Sequence, residues 1–416
     1  MNRRHFVNDM RDDVVPNTES LFLKQSSALQ QSLAVLQQGL RQGKGFSGST
    51  VYVGLAGIAL TYFRLYECCR RLKSRVSATA IGWSGEDPSQ QAQLYLKSAI
   101  TVVNAAGSSQ RLTFHEGQPG IYAVKAAILH AQGEVAQAVV LAQKLQDLGP
   151  AVLQMPPGEC ELLYGRSGYL YALLFTRKYL GASSISVELV KAVVQQIVNE
   201  GRKEAARVKY NNMPLLWQWH DKYYLGAAHG VSGILHTLLL ACDVCDPSEL
   251  FPGLDLLELT RQTTEVLAHE ALKRGNLPPS LGSDDDRLVH WCHGATGFLP
   301  LVAKLQKQDS NDLLAQASRS CADVIWTRGL LTKGVGLCHG ISGNGYALLS
   351  AFRYTGDERY LRRAVQFGSS MADHWQELLK VPDRPLSLYE GLGGAICFWA
   401  DLWEPSQARF PGYELG

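Results

Sequence analysis

The chain has 416 residues, 46% of them hydrophobic, so it is long and apolar enough to bury a large core. Forty basic residues against 38 acidic residues give a net charge of +2. That balance argues against a nucleic-acid partner, which requires a strong basic field. Nine cysteines without regular spacing, and a polar start of the chain, favour a cytoplasmic protein with reduced thiols.

We expect no transmembrane segment. Apolar runs such as Tyr169–Phe175 are shorter than the about 20 residues that a membrane span requires. This argues against a seven-helix membrane receptor, a reading that a count of the apolar helices would otherwise suggest. Peripheral association with the plasma membrane stays open.

Internal repeats organise the whole chain. A Gly-x-x-Gly turn or a close variant, followed by an apolar stretch, recurs seven times. Successive turns are separated by 46 to 65 residues, which leaves room for two helices and their connections. The first glycines of the seven turns are Gly54, Gly117, Gly165, Gly230, Gly294, Gly340 and Gly391.

The two halves of each repeat differ in their hydrophobic pattern. The stretch after a turn, such as Tyr169–Phe175, is typical of a helix buried on most sides. The stretch before the next turn, such as Val187–Val198, has the amphipathic spacing of an outer helix. We therefore predict an all-α fold in a single domain over residues 1–416. It is an α/α barrel, or toroid, of seven inner and outer helical pairs with the turns at one end. Residues 1–26 form an N-terminal extension that could lie near the site.

Two repeats carry a Cys-His pair directly before the turn, in His290–Gly294 and Gly336–Gly340. Two thiols and an imidazole suit Zn²⁺, and three protein ligands leave a fourth position open, as in catalytic zinc sites. Converging helix N-termini would also favour the thiolate form. The alternative is a pair of buried structural cysteines with a hydrogen-bonded histidine.

Several longer segments carry a family resemblance: Glu161–Arg166, Gly226–Gly230, Arg287–Gly294, Lys333–Gly340 and the tail Phe410–Leu415. On these segments the chain resembles the eukaryotic LanC-like (lanthionine synthetase C-like) proteins, relatives of the bacterial lanthionine cyclases. The tail resembles plant-type members. The resemblance implies an α/α barrel that binds one zinc ion per chain through Cys292, Cys338 and His339. It also implies an enzyme that adds glutathione to dehydroalanine or dehydrobutyrine in peptides or proteins, giving a thioether.

His229 is the candidate general acid for this reaction. It directly precedes the fourth turn, so it faces the same end of the predicted barrel as the Cys-His pairs. A histidine near its ordinary pKa can donate a proton at neutral pH. The alternative is a histidine that only bonds a neighbouring carbonyl or carboxylate.

Two cations are candidates for binding the carboxylates of glutathione. The resemblance suggests Lys333, in a Gly-rich loop before Cys338, and Arg4, near the start of the chain. Lysine offers a point charge and arginine a bidentate fork. The alternative is that both are solvated surface cations.

Four further residues lie beside the turns or the zinc motif. His293 either orients a metal ligand or serves only the structure. Arg166 and Glu390 would shape a polar mouth or pair structurally, and Arg287 would contact an anionic substrate.

The second repeat departs from the family pattern. Glu116 and Gln118 stand where relatives carry Cys and Asp or Tyr, which removes a thiol from the predicted mouth. The resemblance also supports a competing hypothesis, a non-catalytic module that binds glutathione or another small ligand in stress-hormone signalling.

Overall fold

The computed structural model describes residues 4–12, 18–72, 88–308 and 312–415. Within these ranges helices dominate, and the β-type pairing consists of three isolated bridges. The helices are α1 Thr18–Gln42, α2 Leu55–Leu72, α3 Pro88–Asn104, α4 Gln118–Ala131, α5 Val135–Gln146, α6 Gly149–Leu153, α7 Arg166–Leu180, α8 Val187–Val208, α9 Val231–Val244, α10 Pro247–Leu250, α11 Leu256–Leu272, α12 Ala295–Gln308, α13 Asp312–Arg328, α14 Ile341–Thr355, α15 Glu358–Leu378 and α16 Leu392–Asp401.

Each of the seven predicted turns starts a helix. Helices α2, α4, α7, α9, α12, α14 and α16 all begin one residue after the first glycine of a turn. The second glycine is required by a close backbone approach: a Cβ atom at Gly233 would lie 1.9 Å from the carbonyl oxygen of Ala227. The carbonyl six residues earlier blocks a Cβ in the same way at Gly57, Gly168, Gly297, Gly343 and Gly394. The repeated glycines therefore reflect one packing geometry used many times.

The chain divides into two compact units. One comprises residues up to Gly107 together with Ile325–Pro411, and the other comprises Ser108–Val324 together with Gly412–Leu415. In the first unit α16 packs against α1, α2 and α14, while α3 packs on α2 and α15 on α14. In the second unit α7 packs between α4 and α9, and α9 also packs against α12. Helices α5, α8 and α11 pack on the outside of this row.

Burial separates the two helix types as the sequence predicts. Every residue of α9 from Val231 to Ala241 is buried. The buried residues of α8 instead follow helical spacing along one face, as Val190, Val193, Val194 and Ile197 show. The helices after the turns are thus the inner ones, and those between turns are the outer ones.

Neighbouring turns are joined through their backbones. In the second unit the N–H of Leu162 donates to the carbonyl of Ala228 at 3.2 Å, and the N–H of Ala227 donates to that of Trp291 at 3.3 Å. In the first unit the N–H of Cys338 donates to the carbonyl of Tyr389 at 2.8 Å. Within each unit, the residues that precede the inner helices therefore lie side by side.

The C-terminal tail ends inside the second unit. Tyr413 is fully buried, its hydroxyl donates to the carbonyl of Gly297 at 2.7 Å, and its ring stacks on His236 at 4.3 Å. No helix in the described ranges combines the length and the apolar character needed to cross a membrane.

Candidate metal and catalytic site

Three of the predicted site residues form a group of metal-ligand type. Cys292, Cys338 and His339 each offer one ligand atom, and these atoms all lie within 4.8 Å of one another. Among the residues that the structure describes, this is the one group of three or more His, Cys, Asp or Glu side chains so arranged. Two thiols and an imidazole are the donor set of zinc sites that keep an open fourth position, so these residues fit zinc.

The local backbone fixes Cys338 and His339 ahead of α14. The turn that contains them packs tightly on the one before α16, because a Cβ atom at Gly336 would lie 2.3 Å from the carbonyl carbon of Glu390. Cys338 is 3% exposed. With the hydrogen bond from its N–H to Tyr389, it has little freedom to move.

Cys292 is held in a similar way ahead of α12. A Cβ atom at Gly226 would lie 2.1 Å from the carbonyl oxygen of Cys292. Gly294, two residues later, has φ +113°, in the region that favours glycine. The turn of one repeat therefore supports the cysteine of the next.

The histidine ligand candidate has a perturbed pKa. Burial lowers the pKa of His339, but the charge and hydrogen bond of Cys338 raise it, and the net effect is a raised pKa. The charge of Lys333 lowers this pKa and that of Glu390 raises it, so both residues act electrostatically on His339. A metal ion that binds here must displace the proton that Cys338 helps to retain.

His229 forms a dyad with a buried carboxylate. Its Nδ1 lies 2.8 Å from Oε2 of Glu161, which is 1% exposed and also accepts the N–H groups of Leu163, at 2.9 Å, and Tyr164. Because an ionised carboxylate only accepts hydrogen bonds, the Nδ1 atom carries the hydrogen. Within the described ranges Nε2 makes no hydrogen bond, and the side chain is 18% exposed. The contact with Glu161 agrees both with a general acid and with a histidine that only bonds a carboxylate. The Nε2 atom is the one available for proton transfer.

Aromatic rings hold the imidazole of His229 in place. The ring of Trp219 stacks on it with a centroid distance of 4.0 Å and an interplanar angle of 6°. Tyr164 lies nearly parallel to it at 5.9 Å. The ring of His293 lies 6.4 Å away, which places His229 close to the turn that contains Cys292.

The two candidate arginines beside the motifs already have protein partners. Arg166 is 1% exposed, and its guanidinium donates to the carbonyls of Pro156 at 3.1 Å and Glu159 at 3.2 Å. Arg287 is exposed and holds Asp285 through two hydrogen bonds of 2.8 and 2.6 Å. Both guanidinium groups therefore have partners within the protein, and the roles predicted for them at the mouth of the site stay predictions.

Glu390 has a buried oxygen near the histidine ligand candidate. Within the described ranges its Oε2 atom has no hydrogen-bond partner. Such an atom is costly to bury unless a donor satisfies it. Its charge already acts on His339, which suits a role in orienting that ring.

The N-terminal segment brings Arg4 towards Lys333. The carbonyl of Arg4 accepts the N–H of Thr332 at 3.1 Å, and the N–H of Phe6 donates to Leu330 at 2.8 Å. Arg4 and Lys333 are both exposed, so their charges are available to a ligand. Of the predicted extension over 1–26, residues 1–3 and 13–17 lie outside the described residues.

Glu161 and Trp219 are not among the site residues predicted from the sequence. Glu161 lies four residues before the first glycine of its turn, where other repeats carry residues such as Thr113 and Ser387. The side chains of all three accept the backbone N–H three residues later. The sequence signal for Glu161 was a carboxylate at a turn position where other repeats carry a hydroxyl. Trp219 lies in a loop outside the repeat pattern, so no such signal marks it.

Comparison with known proteins identifies the family. The sequence model described as "Lanthionine synthetase C-like protein" matches residues 45–415. The chain is 33% identical over 398 residues to "Glutathione S-transferase LANCL1" of Danio rerio, covering 94% of this chain and 91% of that protein. The chain belongs to the LanC-like family. This LanC-like chain is also 31% identical over 382 residues to "LanC-like protein GCL1" of Arabidopsis thaliana, covering 88% of the chain and 81% of that protein.

A solved structure confirms the fold class of the LanC-like chain. Nisin cyclase is similar with a TM-score of 0.62 over 90% of this chain and 94% of that one, at 15% identity. Such a likeness bears on the fold alone. The predicted all-α fold with inner and outer helices is confirmed, and so is the family resemblance.

Proposed function

We propose that this LanC-like protein is a zinc-dependent enzyme that adds glutathione to dehydroalanine or dehydrobutyrine residues of peptides or proteins. The observation that carries the proposal is the group formed by Cys292, Cys338 and His339, whose ligand atoms lie within 4.8 Å of one another. A relative at 33% identity that is named a glutathione S-transferase supports the choice of thiol.

In this proposal the two cysteines and His339 hold one zinc ion. Zinc, when bound, supplies the Lewis acidity that keeps a neighbouring thiol deprotonated at neutral pH. Glu390 orients the ring of His339, since its buried oxygen lacks a donor within the described ranges. His293 helps to enclose the site from the side of His229, 6.4 Å away.

The reaction needs a proton donor as well as a thiolate. The glutathione sulfur attacks the β-carbon, a C–S bond forms, and the electron pair of the C=C bond moves to give an enolate. The α-carbon then takes up one proton. His229 donates it from Nε2, while Glu161 on Nδ1 fixes the ring and stabilises its charged form.

Binding of glutathione requires cations, because the tripeptide has two carboxylates. Arg4 and Lys333 are both exposed and are brought together by backbone pairing of the N-terminal segment with residues 330–332. We assign the two side chains to these carboxylates, as a bidentate fork and a point charge. The proposal assigns no glutathione contact to Arg287 or Arg166, which bond to other protein groups.

The test is direct formation of the thioether. Zinc-loaded protein is incubated with glutathione and a dehydrobutyrine peptide, and the adduct is measured by mass spectrometry against metal-free protein. We expect an adduct that depends on zinc and is lost in His229→Ala. No adduct above the metal-free control contradicts the proposal. Retained zinc and glutathione affinity without turnover in the wild type would favour the signalling module instead.

A further inference from the structure

A cavity lies beside the dyad of His229 and Glu161. Its volume is about 430 Å³, within the roughly 300–1,000 Å³ typical of small-ligand sites. It is formed by residues 157–159, the C-terminal half of α8 and residues 217–221. Trp219 lines the cavity and also stacks on His229, with ring centroids 4.0 Å apart. The cavity is thus connected to the dyad through one side chain.

The cavity has a net negative lining. Four carboxylates and one ammonium group line it: Glu159, Glu200, Glu204, Asp221 and Lys203. Glu204 is neutralised by Arg207, whose guanidinium donates to it at 2.6 and 3.0 Å. Three carboxylates against one ammonium group leave a formal charge of −2 from the acidic and lysine side chains of the lining. Two tryptophans, Trp217 and Trp219, complete the wall with the apolar and π surfaces that cations favour.

The loop that presents this wall is a tight hairpin. Trp219 and Lys222 exchange both backbone hydrogen bonds, at 2.9 and 3.1 Å. Its two central residues, His220 and Asp221, have φ +44° and +60°. A two-residue turn with both residues in this region holds the two flanking residues at a fixed distance. The backbone positions of Trp219 and Asp221 at the cavity wall are therefore well defined.

We propose that this cavity binds a basic side chain, Lys or Arg, of the acceptor polypeptide, close to the dehydroamino acid. The inference rests on the proposed function for the identity of the polypeptide. Glutathione has two carboxylates and one ammonium group, so a cavity with a charge of −2 repels it. Within the described ranges Asp221 and Glu159 form no salt bridge. A lysine or arginine side chain offers them a positive charge, and its aliphatic stem can pack on Trp219.

The spacing limits where the basic residue stands. An extended chain advances about 3.3 Å per residue, and side chains on one face recur every second residue. A residue two positions from the reacting one therefore lies roughly 6.6 Å away on the same face. Because Trp219 of the cavity wall stacks directly on His229, a reacting residue at His229 and a basic residue in the cavity can be only about two positions apart.

Binding is tested independently of turnover. Acetylated and amidated heptapeptides have alanine in place of the dehydroamino acid, and lysine, arginine, norleucine or glutamate two residues away on either side. Affinity for the zinc-loaded full-length protein is measured by isothermal titration calorimetry at low and high salt. Capped termini ensure that the cation is a side chain. We expect the lysine and arginine peptides to bind about tenfold more tightly than the norleucine peptide, with the difference reduced by salt.

Variants locate the effect in the cavity. Asp221→Asn combined with Glu159→Gln should remove most of the preference for lysine while the norleucine peptide binds as before. Glu134→Gln, which removes an exposed carboxylate at the start of α5, is the matched control and should leave the preference intact. Equal affinity for lysine and norleucine, or a preference that survives the double substitution, overturns the inference. A cavity-dependent lysine preference without any thioether product would contradict the proposed function and leave cation recognition standing.

Discussion

Replacing Glu161 with glutamine tests the dyad most sharply, because it removes a charge and keeps the size of the side chain. The carboxylate accepts from Nδ1 of His229 at 2.8 Å, from the N–H of Leu163 at 2.9 Å and from the N–H of Tyr164. An amide has one oxygen and one NH₂ group, so the NH₂ must face one of these donors. At 1% exposure, water cannot relieve that conflict.

The magnitude follows from those contacts. An unsatisfied buried donor costs about 1–3 kcal/mol, so the free energy of unfolding of Glu161→Gln should fall by that amount. Turnover should fall about 100-fold or more, because proton transfer by a positioned side chain contributes that much. Zinc content and glutathione affinity should not change, since the proposal assigns both to other residues.

Urea unfolding measures the stability change, and adduct formation measured by mass spectrometry gives kcat. The matched control is Glu404→Gln, which removes a buried carboxylate that pairs with Arg71 at 2.8 Å instead of with a histidine. The control should lose stability and keep its turnover. Wild-type turnover in a folded Glu161→Gln protein would refute the role of the dyad.

Other predictions follow from the packing and the charges. Gly233→Ala places a Cβ atom 1.9 Å from the carbonyl oxygen of Ala227 and should lower the free energy of unfolding by about 1–3 kcal/mol or more in urea titrations. Gly107→Ala, which meets only a side-chain hydroxyl at 3.2 Å, should cost far less, and equal losses would contradict the packing argument. Arg4→Ala should raise the KM for glutathione about fivefold without changing kcat or the melting temperature, because an exposed ion pair contributes at most about 1 kcal/mol; an unchanged KM would remove Arg4 from the site. Zinc affinity, measured by competition with a chromophoric chelator, should fall as the pH is lowered from 8 to 6. The ligands must lose their protons, and the raised pKa of His339 keeps its proton to higher pH, so a flat profile would count against this ligand.

Much of the fold could be predicted because one geometric requirement repeats. Six of the seven turns have a glycine where a backbone carbonyl leaves no room for a Cβ atom, as at Gly233 and Gly343, and each turn starts a buried helix. The alternation of an apolar and an amphipathic stretch then separates inner from outer helices, as α9 and α8 show. These signals are local in sequence, so they can be recognised without a structure.

The contacts of individual site residues depend on distant parts of the chain. Arg4 lies beside Lys333 because two backbone segments more than 300 residues apart pair, and no periodicity reports that pairing. Arg166 is next to a turn, as a mouth residue would be, yet its Nη1 atom donates to two carbonyls of the preceding loop. Glu161 occupies a position that commonly caps a turn, so its second contact, with His229, emerges only when two repeats are placed side by side.

The central claim is that Cys292, Cys338 and His339 hold a zinc ion on which glutathione binding depends. It is tested most directly by measuring zinc per chain by inductively coupled plasma mass spectrometry, with glutathione affinity by calorimetry, for the wild type and Cys338→Ala. The proposal predicts one zinc ion per wild-type chain, and loss of both zinc and glutathione binding in a folded variant. A well-folded wild type that takes up no zinc, or a variant that keeps both, would contradict it.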